Sequence, residues 1–186
     1  MWRRSMLIGL LVLLAIGCHS SPDRSIPSQL GGQTMHLESS AFTHNGMIPA
    51  EFTCDSSNLS PPLSWSQPPA NTQSLALIVD DPDAPMGTFV HWVLFNLPRQ
   101  TASLPEHITS PSALPDHSLE GRNDFGKLGY GGPCPPSGTH RYFFKLYALD
   151  TLLNVRSGAT KAQVEAAMQG HILASAELIG LYQRSR

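Results

Sequence analysis

Two apolar runs, Ser74–Val79 (SLALIV) and His91–Leu97 (HWVLFNL), are separated by a segment that no helix can cross. Asp80-Asp81-Pro82-Asp83-Ala84-Pro85 carries two prolines and Gly87 follows, so the chain must turn there. The first run is apolar at successive positions, which predicts a central strand covered on both faces. The second is rich in aromatic and branched side chains and predicts its partner. The loop between them therefore sets Asp80, Asp81, Asp83 and His91 at one end of a buried strand pair. Loops held by rigid strands are where binding and catalysis concentrate. Asp in a turn serves equally well to solvate it.

The remaining chain punctuates itself in the same way. Thr34–Ser39 alternates apolar and polar and predicts a first strand; Asn45-Gly46 marks a turn. Cys54–Pro69 is irregular, with Leu63 and Trp65 as core anchors, and 98–115 is a long polar connection. Gly121–Gly138 (GRNDFGKLGYGGPCPPSG) is too dense in Gly and Pro for a regular element and suggests a backbone that approaches something closely. Arg141–Leu149 (RYFFKLYAL) predicts a third strong strand, with Tyr142, Phe144, Leu146 and Ala148 on one face. Thr160 and Gln163 form a capping box that opens a helix ending at Gly170. His171–Tyr182 fits either a helix or a strand.

The N-terminus predicts export. Arg3 and Arg4 precede an apolar core, Met6–Ile16, too short to span a membrane comfortably, so 1–17 is expected to be a signal peptide. Ala15-Ile16-Gly17-Cys18 resembles a lipobox, which makes Cys18 the expected lipidation site and 18–32 a flexible tether. Ordinary secretion with cleavage nearby is the alternative, since Ala is less usual than Leu at the first lipobox position. Residues 33–186 remain, enough for one domain. The expected location is a bacterial cell envelope, on a membrane anchor facing the periplasm or the exterior. A formal charge of −2 over the full chain argues against nucleic acid, which needs a basic face. With Cys18 acylated, Cys54 and Cys134 remain, an even pair in an oxidising compartment that predicts a disulfide. The alternative is a free Cys134 acting as a nucleophile.

His91 and His140 each stand at the mouth of a strand behind a Gly/Pro-rich loop. In one sheet, both rings would open on one rim beside Asp81 and Asp83. Gly131 and Gly132 would present backbone N–H groups to an anion, and Tyr142 a hydroxyl. Together these groups predict a donor-rich pocket for a small oxyanion, with Asp81 and Asp83 holding the histidines. An anion held by imidazolium would bind more weakly as pH rises past about 6.5. No metal-ligand spacing is present, so neither metal nor cofactor is expected. A Cys134–His140 pair would instead make a hydrolase.

DDPDAP…VHW, NDFGKLGYGGPCPPSGTHRYFFKLYALD and GHILASAELIG together resemble the phosphatidylethanolamine-binding protein family, in its bacterial Raf-kinase-inhibitor-like branch. The resemblance covers about Met35–Tyr182 and implies a mainly β single domain: a large β-sheet packed on a smaller one with few peripheral helices. It also implies that the tail from Ala174 is a strand. By motif, the implied pocket residues are Asp81, Asp83, His91, Gly132, Pro133, Cys134, His140 and Tyr142. The implied activity is non-enzymatic binding of a phosphate-type anion or phosphorylated small ligand. Inhibition of a peptidase or kinase through the same rim is the alternative. Cys134 stands where animal relatives carry proline, which ties its disulfide to the shape of the pocket. The chain stops at Arg186 soon after its last strand, where animal forms carry a helix over the pocket, which implies a more open site.

Overall fold

The computed structural model describes residues 34–108 and 114–184. The expected signal peptide, tether and lipidated Cys18 lie outside these residues. Within them the architecture is mainly β, with two sheets and one α-helix. The strands are β1 (Leu37–Glu38), β2 (Gly46–Met47), β3 (Leu63–Trp65), β4 (Ser74–Asp81) and β5 (Phe89–Pro98), followed by β6 (Ser103–Leu104), β7 (Leu119–Glu120), β8 (Thr139–Leu149) and β9 (Ile172–Gln183); the helix α1 is Lys161–Met168. A six-stranded sheet runs β2-β9-β8-β4-β5-β7 and a three-stranded sheet runs β1-β3-β6.

β4 is buried along its whole length because it is central in both directions. It lies between β5 and β8 in the sheet, and its two faces meet two different cores. Leu75, Leu77 and Val79 pack with Trp92, Leu94, Phe144 and Leu146 against Leu37, Leu63, Trp65 and Leu104 of the small sheet. Ala76 and Ile78 face the other way, with Val93, Phe95 and the helix residues Val164 and Met168. Each fully buried aliphatic side chain contributes about 1.5–3 kcal/mol. The two-sided apolar run thus reports a strand with a layer on each side. β8 needs only alternation: His140, Tyr142, Phe144, Leu146 and Ala148 are buried, while Arg141 is exposed.

α1 starts where the capping box predicts, with Thr160 accepting from the Gln163 N–H. The ambiguous tail is a strand. β9 pairs antiparallel with β8 over nearly its whole length, from His140–Tyr182 to Leu149–Ile172. Helix propensity over residues 172–183 yields to a neighbour offering a continuous ladder. The expected first strand over 34–39 shrinks to Leu37–Glu38, and β3 and β6 occupy segments that read as irregular or polar from the sequence. These strands are two or three residues long, below the reach of any periodicity.

The pairing of β4 with β5 carries the irregularity that matters. Asp80 pairs with Val90 and Val79 with Trp92, which leaves His91 as an extra residue in β5. Such a bulge re-aims a side chain, and bulges concentrate beside functional sites. Trp92 lies in the core against the small sheet, and the His91 ring stands edge-on to Tyr142, 5.2 Å between centroids, on that same face. Strict alternation would have put consecutive residues on opposite faces.

Candidate functional site

The mouth of the β4–β5 and β8 ends forms a cavity of about 550 Å³ lined by Asp81, His91, Phe125, Cys134 and His140, with Pro85, Met86 and Phe89 along its rim. β4 contributes Asp81 at its last position, β8 contributes His140 near its first, and the bulge in β5 supplies His91. All three are buried.

The two histidines are fixed by different partners. His140 Nδ1 lies 2.7 Å from Asp81 Oδ2. His91 Nδ1 lies 2.6 Å from the carbonyl of Gly131, to which it donates. Neither Nε2 is used in a hydrogen bond among the described residues. Burial holds the His91 ring below its ordinary pKa, outweighing the raising influence of the Gly131 carbonyl and of Asp81. His91 is therefore neutral near pH 7. With Nδ1–H committed to Gly131, its Nε2 is a lone pair, an acceptor. The expectation that both histidines meet a ligand as imidazolium donors is corrected at His91.

Asp83 holds no histidine. It takes the Arg141 guanidinium at 2.6 Å and 2.8 Å and the Arg141 backbone N–H at 3.0 Å. Those bonds to Arg141 keep its carboxyl at about 2. They pin the 81–88 loop to β8 rather than shape the cavity, whose lining does not include Asp83.

The expected anion nest is also corrected. Gly131 N–H donates to the His91 carbonyl and Gly132 N–H to Asn58 Oδ1, so both are spent. Gly132 is needed for a different reason: a Cβ there would run into the Phe52 carbonyl and Asn58 Oδ1. The close approach implied by the glycine-rich stretch is to the short 3-10 turn and loop at residues 52–58. Pro133 lies in the same contact, its carbonyl accepting from Cys54 N–H.

Cys134 is bonded to Cys54, 80 residues earlier. A thiolate nucleophile at Cys134 is thereby overturned, and with it the Cys134–His140 hydrolase. Tyr142 lies beneath His91, its hydroxyl buried with no partner in bonding geometry; Asp81 and the Cys134 backbone are close by. Burial, reinforced by Asp81, pushes its pKa up, so it is a neutral donor.

Phe89, Phe125 and Met86 were not foreseen as site residues. Phe125 meets His91 edge-on at 5.5 Å and Phe89 at 4.8 Å. Its distance in sequence from the β4–β5 loop hides this grouping. Asp124 brings it there: its carboxylate accepts from Val90 N–H and its own N–H donates to the Val90 carbonyl.

The sequence profile of the phosphatidylethanolamine-binding protein family matches residues 38–183. The chain belongs to this family. A UPF0098 protein of Methanothermobacter thermautotrophicus is 55% identical over 150 residues, covering 81% of this chain and 99% of that protein. A UPF0098 protein of Chlamydia muridarum is 43% identical, covering 81% of this chain and 99% of that one. Two solved structures are similar throughout. The phosphatidylethanolamine-binding protein homolog of Chlamydia trachomatis superposes with a TM-score of 0.75 at 41% identity, covering 82% of this chain and 99% of that one. E. coli YbcL, a member of the mammalian phosphatidylethanolamine-binding protein family, gives 0.76 at 33%, covering 81% and 99%. The phosphatidylethanolamine-binding protein family is one of ligand-binding or inhibitor-like, generally non-catalytic proteins.

Proposed function

We propose that this chain binds a small phosphate-type anion or phosphorylated ligand, without catalysis, in the cavity floored by His91 and His140. The observation that carries this reading is the division of labour between the rings. Each Nδ1 is tied down, leaving two Nε2 atoms without partners among the described residues at the polar end of a largely apolar cavity. In its imidazolium form His140 offers Nε2–H to an anionic oxygen, while neutral His91 accepts from a P–OH or ligand hydroxyl. Tyr142, expected to donate to the ligand, is buried beneath His91 and is not part of the cavity lining, so it supports the floor rather than meeting the ligand. A singly protonated phosphate group meets both requirements. The apolar walls suit the remainder of a phosphorylated molecule.

The test is a titration of the full chain with inorganic phosphate and phosphoethanolamine, following histidine ring signals by NMR. Saturable shifts at both rings, lost in His140→Ala, are expected. Silence at both refutes the reading.

A second reading is favoured by one observation. Met86 is fully exposed and Phe125 is 43% exposed at the cavity rim, apolar surface of the kind that docks a protein. A peptidase inhibitor using this rim would lose potency on Met86→Ser and be indifferent to His140→Ala. Export and anchoring through Cys18 follow from the N-terminal motif, and Cys18→Ser should abolish incorporation of labelled palmitate.

A further inference from the structure

A second cavity, of about 380 Å³, lies apart from the histidines and is lined by Glu120, His107, Tyr130, Leu128, Leu59 and Ser57, among others. Its unusual member is Glu120, on the edge strand β7, only 5% exposed. Among the described residues its carboxylate has no cation within 4.0 Å: His107 lines the same cavity and makes no ion pair with it. The carboxylate stands beside Gly129, which also lines the cavity; a Cβ there would lie 3.6 Å from Glu120 Oε1. Trp92 Nε1, buried nearby, reaches no partner in bonding geometry. Every other deeply buried carboxylate described is compensated: Asp80 by Lys145 and Lys161, Asp81 by His140.

A buried, ionised carboxylate without a counter-charge costs several kcal/mol, so it either takes a proton or takes a cation. The cavity is shaped for the second. Tyr130 lines it, its ring packed edge-on to Trp92 at 5.5 Å and its hydroxyl already donating to the Phe52 carbonyl. Leu59, Leu128 and Ile108 add apolar walls, and Ser57 and Asn58 add polar atoms. A carboxylate, an aromatic ring and short aliphatic walls are the elements that recognise an organic ammonium ion. We infer that the Glu120 cavity binds a small organic amine in its ammonium form, at a site independent of the phosphate-type site. Burial raises the Glu120 pKa, with Trp92 offsetting part of the effect, so amine binding competes with a proton and weakens in acid.

The experiment uses the full chain titrated with ethanolamine and with choline, and with ethylene glycol as an uncharged control, following the Tyr130 ring and Glu120 carboxyl signals by NMR. Saturable shifts with the amines and none with the glycol are expected, with a loss of at least tenfold in affinity on Glu120→Gln. Glu120→Gln keeps the shape, but its fold could suffer, so Leu128→Trp provides a second arm. Leu128 is 46% exposed at the cavity mouth, and a larger ring there blocks entry without touching the carboxylate. Undiminished binding in Leu128→Trp, equal binding in Glu120→Gln, or no amine response while Glu120 remains protonated at pH 7 would each overturn the proposal. Phosphate titration at His91 and His140 is read in the same samples, so failure of one site is distinguishable from failure of the other.

Discussion

His140 Nδ1 and Asp81 Oδ2 stand 2.7 Å apart, joining the second residue of β8 to the last residue of β4, and neither side chain is more than a tenth exposed. The pair sets which nitrogen of His140 is left for a ligand, because the carboxylate takes Nδ1–H. A charge-assisted bond of this kind is worth about 1.5–3 kcal/mol. Asp81→Asn is accordingly expected to weaken phosphate binding by about tenfold, the equivalent of about 1.4 kcal/mol. Asp83→Asn breaks only the Arg141 pair, whose arginine is about half exposed, so the loss should stay below about fivefold. Calorimetric titration of both variants separates the two carboxylates; equal losses contradict the assignment.

His91 gives a pH dependence of definite sign. Its folded pKa lies below the ordinary 6.5 because of burial. As pH falls below 6.5 the unfolded chain binds a proton before the folded one does, so stability falls with pH until the folded ring titrates too. His91→Gln removes this acid penalty. Urea unfolding at pH 7.5 and 5.5 should show a smaller drop for the variant than for the parent. An equal drop would falsify the neutral His91 on which the accepting Nε2 depends.

Asp83 acts in the opposite sense. Its folded carboxyl sits at about 2 against an ordinary 3.8. The stability it contributes is complete above the ordinary value and is lost as pH falls toward the folded one. Solvent screening at the exposed Arg141 holds that contribution under about 1 kcal/mol. Added salt should shrink the difference between parent and Asp83→Asn at pH 7 while leaving the Asp81→Asn effect larger, and acid unfolding between pH 4 and 2 tracks it.

Closing an 80-residue separation, the Cys54–Cys134 bond restrains the unfolded chain by about 4 kcal/mol in the chain-entropy account. Cys54→Ser with Cys134→Ser should lower the unfolding midpoint accordingly. Cys134 also lines the histidine cavity, so phosphate affinity should fall in the same protein. A large stability loss with unchanged affinity would restrict the bond to a structural role.

Gly132→Ala distinguishes packing from anion binding. The added Cβ meets backbone at Phe52 and Thr53, which cannot turn aside as a side chain would. Overpacking of this sort costs about 1–3 kcal/mol. Denaturation should show that loss. A stable variant with weakened phosphate binding would restore the nest that the bonds to His91 and Asn58 argue against.

What the sequence determines by itself is whatever a run of neighbours encodes. The two-sided apolar stretch at β4, the alternation in β8 and the Thr160–Gln163 capping box are local patterns found where the pattern places them. The turn expected from Asp80 begins only at Pro82, because Asp80 and Asp81 still pair with β5. The same locality made Asp81, His91 and His140 visible as candidates, since each stands at the junction of a strand and a Gly/Pro-rich loop. The tertiary structure alone decides the remainder, because register and ladder partners are non-local. Residues 172–183 become a strand only through β8, and the extra residue at His91 exists only relative to the β4 register. Asp83 meets Arg141 rather than a histidine because β8 presents its odd residues to solvent at that end. Gly132 is pressed against a segment 80 residues away, and Glu120 is left without a cation among the described residues by elements that meet only when the sheets close. Hydrophobic patterning fixes which face a residue shows, while the charge balance of a buried site depends on which distant side chain the closed sheets bring opposite.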